Sequence, residues 1–182
     1  PRKIRAAERQ AEGGDLYSVV AICEWLLGDD GIAGALDARL DALFGLVPTF
    51  EAGQGRRKNQ AIRALEAGTD WWASYPESES RLIHKWGLLL GIAPAAHQWE
   101  ASEDHDGRWL PNPRFWYPQT LRQDQQTLEW SICNAQHQRV PVVPGDGTWV
   151  LHMPFGGSRP QMQGLWRSLA RWALLKSYAM RD

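Results

Sequence analysis

Cysteine is scarce in this 182-residue chain: Cys23 and Cys133 lie far apart and have no partners at zinc-ligand spacing. That argues against a disulfide framework and a cysteine-based metal site, so both are expected to be free thiols in a reducing compartment. A dominant charge sign is missing as well. Twenty Lys and Arg against 21 Asp and Glu give a formal net charge of −1. The chain as a whole is therefore no nucleic-acid-binding surface, and any such contact has to come from a local patch. No run approaches the roughly 18 apolar residues of a membrane span. Pro1 to Gln10 is basic and polar rather than a signal peptide. The expectation is a protein made in the cytosol without membrane contact. The chain begins without methionine and stops inside a helical pattern, which suggests a piece of a longer one.

Catalytic spacing is lacking too. Ser158, Ser168 and Ser177 have no G-x-S-x-G setting, and Gly156-Gly157 precedes a helix without the G-K-[ST] of a phosphate loop. His97 and His105 stand near Glu100, Glu103, Asp104 and Asp106, but no H-E-x-x-H or other fixed spacing is present. That stretch reads as a solvated turn. His84 falls on a helix as a packed or surface residue, and His152 on an apolar strand suits a hydrogen bond to a neighbouring strand or subunit. Asp29 and Asp30 act more naturally as helix caps than as general acid and base. The chain is expected to be no enzyme, with no catalytic, metal or cofactor-binding residues and no cofactor.

What is abundant is tryptophan, eleven residues spread from Trp25 to Trp172. They suit large core and interface side chains. The alternative is a tryptophan-rich carbohydrate- or ligand-binding module, which would need a flat aromatic row on a β-sandwich. With 43% hydrophobic and 23% charged residues the composition is ordinary for a globular chain.

The pattern predicts an α+β chain: N-terminal helices, a small antiparallel β-unit and a C-terminal helix. Residues 1–14 are a charged, Ala-rich arm, helical or frayed. One domain covers 15–182, with a helical part over 15–92, a β-rich part over 93–155 and a closing helix over 161–180. Asp15 is expected to cap a helix carrying Leu16, Val19, Val20, Cys23, Leu26 and Leu27, and Asp29 or Asp30 one carrying Ile32, Leu36, Leu40, Leu43 and Phe44. Leu46 to Ala52 is expected as an edge strand interrupted by Pro48. Asn59 to Tyr75 is helical, and Ser78 or Ser80 caps the helix carrying Leu82, Ile83, Trp86 and Leu90. Strands are expected at Ala95 to Glu100, Trp109 to Tyr117, Thr127 to Cys133, Arg139 to Val143 and Thr148 to Met153. In the closing helix Leu165, Leu169, Trp172 and Leu175 or Lys176 form one stripe.

Two basic groups stand out. Arg56-Arg57-Lys58 is a short loop cluster, most simply a solvated surface. Arg167, Arg171, Lys176 and Arg181 follow the last helix at mostly three to five residues. They are the candidate contacts to a neighbouring subunit or to DNA phosphate. Trp166 and Trp172, six apart, do not share a helical face, and one is expected to point toward a partner.

The segment TWVLHMPFGGSRPQMQGLWRSLARWALLKSYAMRD, Thr148 to Asp182, runs from an apolar strand through a Gly/Pro turn into a basic amphipathic helix. It resembles a passage in the portal proteins of tailed bacteriophages. The likeness extends to Ala7 to Leu43 (AERQAEGGDLYSVVAICEWLLGDDGIAGALDARLDAL), which is similar to the start of portal subunits of the Mu-type branch, with Arg39 leading into the next segment. Leu88 to Trp99 (LLLGIAPAAHQW) and Arg108 to Trp116 (RWLPNPRFW) resemble later elements of the same family. The resemblance implies a structural ring subunit, typically one of twelve copies, at the portal vertex of the virion and in the host cytoplasm during assembly. Implied partners are other copies of itself, terminase, head-completion or adaptor proteins, the major capsid or scaffold protein, and double-stranded DNA in the channel. Portal subunits are usually more than twice this long. The chain would correspond to the wing portion, its last helix leading toward the stem.

Overall fold

A computed structural model describes residues 2–53, 57–102, 107–134, 136 and 138–180. Its helices come first: α1 (Arg2–Glu12), α2 (Tyr17–Leu27), α3 (Asp30–Phe44), α4 (Lys58–Ser74) and α5 (Glu77–Leu90). Six strands follow, β1 (Ala93–Ser102), β2 (Arg108–Phe115), β3 (Leu121–Gln123), β4 (Trp130–Cys133), β5 (Arg139–Val142) and β6 (Trp149–His152), and then α6 (Trp166–Ala179). This is the α+β class expected from the sequence.

The first helix is more than an arm. Ala7 and Ala11, one turn apart, are fully buried, and α1 packs on α2 and α6. Small side chains on that face let a charged helix approach its neighbours closely. In α2 the buried residues Val19, Val20, Cys23 and Leu26 make the expected helical stripe. Asp15 sits one residue too early to cap it. The helix opens at Tyr17, whose amide donates to Asp15 Oδ1 at 2.9 Å. Asp29 does cap α3, accepting from the amides of Gly31 and Ile32 at 3.0 and 3.2 Å.

The edge strand expected at Leu46 to Ala52 does not form. Residues 46–53 belong to no described sheet, and Leu46 and Val47 are 69% and 88% exposed. Pro48 has no amide to give a ladder, and among the described residues no strand pairs with the segment. Neither Ser78 nor Ser80 caps α5. The helix starts at Glu77 after Pro76 without a side-chain cap, and Ser80 is buried. Gly91, with φ +95°, ends α5 in the left-handed conformation that suits glycine.

α5 buries Ile83, Trp86, Leu89 and Leu90 and packs against a three-stranded antiparallel sheet of order β2-β1-β6. There Ala95 pairs with Phe115 on one side and Val150 on the other. A second antiparallel sheet has the order β3-β4-β5, with Leu121 opposite Ile132 and Trp130 opposite Val142. The expected single β-unit is thus two sheets. β3 was not expected, being three residues long between Thr120 and Asp124. β4 starts at Trp130 rather than Thr127 because a turn intervenes. Asp124 Oδ1 accepts the amides of Gln126 and Thr127, and Leu128 takes φ +62°. Both sheets and all helices except α4 contribute to one core, from Ala7 through Trp130 and Leu151 to Trp166.

Candidate functional site

The start of α6 is fixed by close backbone packing rather than by a side-chain cap. A turn of 3-10 helix at Pro160–Met162 comes first, so α6 begins at Trp166, later than the expected Gln161. The amide of Leu165 donates to the carbonyl of Leu88 at 3.1 Å. Trp166 is fully buried and its indole N–H donates to the carbonyl of Gln161 at 2.9 Å. Gln161, also fully buried, donates through Nε2 to Ala11 O at 3.1 Å and Gln123 Oε1 at 3.0 Å. Gln123 in turn donates to Ser158 O at 2.7 Å. This polar network joins α1, the second sheet and the entry to α6.

Trp166 was grouped with the candidate contact residues, and there the structure corrects the sequence reading. It is core. The buried stripe of α6 is Trp166 and Ala170, with Leu165, Leu169 and Ala173 partly buried beside them; of the expected stripe Leu165 and Leu169 pack on the core, while Trp172, Leu175 and Lys176 are exposed. Trp172 is 70% exposed, with exposed Leu175, Tyr178 and Met180 toward the same helix end.

The basic residues of α6 hold carboxylates of their own chain. Arg171 Nη2 lies 2.9 Å and Arg167 Nε 3.5 Å from Oε1 of the mostly buried Glu8 on α1. Arg167 also donates to Met162 O at 3.2 Å. Lys176 Nζ reaches Oδ2 of Asp29, the α3 cap, at 2.7 Å. That bond first, and then the amides of Ile32 and Gly31, hold the Asp29 carboxyl below its ordinary range. Arg181 lies outside the described residues, as does Arg56 of the loop cluster.

Two concavities open on the surface, the larger one mainly apolar. The larger, about 940 Å³, lies between α1, α2 and α6, walled by Ile4, Tyr17, Ala21, Ile22, Trp25 and Leu174, with Arg2 and Lys3 at its rim. Nothing in the sequence reading anticipated it, because α1 was expected to be an arm and a groove needs two walls. The smaller, about 330 Å³, is formed by Phe44, the segment 46–48, Trp72, Tyr75 and Glu77.

The titratable groups show packing rather than converging chemistry. His84 and His152 face each other with ring centroids 4.6 Å apart, and His84 Nδ1 lies 2.8 Å from Ser80 O. Burial first, and then the charge of His84, push His152 down to about 4. The His152 ring thus packs against α5, over Gly87, while its backbone pairs with Ala93 of β1. Burial also raises the Cys23 thiol and the Tyr117 phenol, whose hydroxyl donates to Glu24. Cys23 and Cys133 are free. Glu103 to Asp106, the acidic turn with His105, lies outside the described residues. Among the described residues, no three His, Cys, Asp or Glu side chains group as a metal site would need, and no helix is long and apolar enough to cross a membrane. The most exposed tryptophans, Trp25, Trp99, Trp109 and Trp172, stand on α2, β1, β2 and α6 rather than in one sheet row.

A family model described as the portal protein of Mu bacteriophage matches residues 20–182, from within α2 to the end of the chain. No curated protein matches the sequence.

Proposed function

The chain belongs to the Mu-type phage portal protein family, and on that premise we propose that it is a structural subunit of a closed ring at the portal vertex. DNA is packaged and ejected through that ring. The single observation carrying this reading is the family match across nearly the whole chain. Two features of the surface support it. Apolar side chains stay uncovered on separate faces, on α2 and α6 and at 46–50, and contiguous uncovered apolar area marks interaction surfaces. The basic residues of α6 are bound to Glu8 and Asp29, which fixes the helix in its seat and leaves its Trp172 side outward.

In this reading the subunit does no chemistry of its own. Terminase, adaptor proteins and the capsid or scaffold dock on the assembled ring, and duplex DNA passes through it. Trp172, Leu175 and Tyr178 are exposed on α6, and Arg171 and Lys176, the more exposed of its basic side chains, stand beside them, so this side of the helix is the one that meets a neighbour or DNA. The test is direct. Mass photometry and electron microscopy across a concentration series should find closed rings of fixed copy number. A chain that stays monomeric at high concentration would overturn the proposal.

A further inference from the structure

Two uncovered surfaces of this chain are complementary. The groove between α1, α2 and α6 is concave and apolar, and Arg2 and Lys3 stand at its rim. The segment 46–51 leaves the apolar side chains of Leu46 and Val47 exposed, and it ends in exposed Glu51. Pro48 restricts Val47 to extended backbone, so the segment is shaped before any partner arrives. Among the described residues Arg2, Lys3 and Glu51 form no ion pair. In its own chain the segment lies against Trp72 and Tyr75, and no residue walls both concavities.

We infer that the segment 46–51 of one copy seats in the α1–α2–α6 groove of the next. Leu46 and Val47 enter the apolar floor beside Ile22 and Trp25, and Glu51 meets Arg2 and Lys3. A contact between two different patches is heterologous. Repeated, it closes into a ring when the rotation per copy allows and otherwise runs on as a filament. The inference rests on the ring reading above and assigns it a specific pair of surfaces.

The experiment uses the 182-residue chain in a Cys133→Ser background, where the remaining native thiol, Cys23, is buried. One preparation carries Val47→Cys and another Ala21→Cys, both at exposed positions. Under mild oxidation a mixture of the two should form disulfide-linked dimers, whereas neither alone should. Separately, Val47→Asp should raise the concentration needed for self-association by at least ~10-fold, without changing the thermal melt of the monomer. Glu51→Lys should weaken association, and combining it with Arg2→Glu and Lys3→Glu should restore it. If the wild type associates but the mixture gives no crosslink and Val47→Asp associates undiminished, this contact is wrong while the ring reading stands. A wild type that never associates overturns both.

Discussion

Gly164 lies so close to Leu90 that an added Cβ would stand 2.3 Å from the carbonyl carbon of Leu90. Both partners are backbone, so no side chain can rotate out of the way. Gly164→Ala should therefore separate the end of α5 from the start of α6 and cost about 2–4 kcal/mol. Gly68→Ala in α4, where nothing lies within 4 Å of the added atom, should instead stabilise by roughly 0.5–1 kcal/mol through helix propensity. Thermal melts of the two variants check this, and equal shifts would contradict it.

The two tryptophans of α6 should behave oppositely. Trp166→Ala empties a fully buried site and removes the bond to Gln161, at a cost of about 3–5 kcal/mol. Trp172→Ala, at 70% exposure, should stay within about 0.5 kcal/mol in the monomer. Denaturant midpoints at dilutions below self-association measure both.

Acid should weaken the fold in two steps. His152 is pushed down to about 4 in the native chain, so below the ordinary histidine range the unfolded chain binds more protons than the folded one. Stability therefore falls as pH drops toward 4, by roughly 1–2 kcal/mol once solvent screening is allowed for. Asp29 is also depressed, by Lys176 and the α3 amides. Its contribution is complete above the ordinary aspartate range and is lost at lower pH still, as the native carboxyl protonates. Urea titrations at stepped pH should show the upper slope vanish in His152→Gln and the lower one shrink in Asp29→Asn.

Glu8 holds two arginines at once. Glu8→Gln should cost at most about 1 kcal/mol of stability, since both partners are substantially exposed. It should also leave Arg167 and Arg171 uncompensated. Nonspecific affinity for duplex DNA should then rise, with a salt dependence steeper by about 1 per cation freed. Binding isotherms at several salt concentrations would show it, and an unchanged slope would mean that α6 does not face DNA.

Most helices were legible because buried residues recur every three or four positions, as Val19, Val20, Cys23 and Leu26 do in α2. Asp29 was legible as a cap for the same local reason. What could not be read was set by distant contacts. Leu46 to Ala52 has the composition of a strand, but Pro48 lacks a ladder donor and among the described residues no strand pairs with it. β3 exists because Leu121 meets Ile132 across the turn at 124–129. The basic spacing of α6 was visible, but its carboxylate partners lie 147 and 163 residues away in sequence. The groove needed α1 to be a wall, and nothing local says that Ala7 and Ala11 are buried.

Cys23 lies wholly inside the core on α2, its thiol raised by burial, while Cys133 is partly open on β4. Each molecule therefore carries a fast and a slow sulfhydryl. A labelling reagent should consume one equivalent promptly and the second only when the interior opens, so the delay between them is an intrinsic clock for core opening.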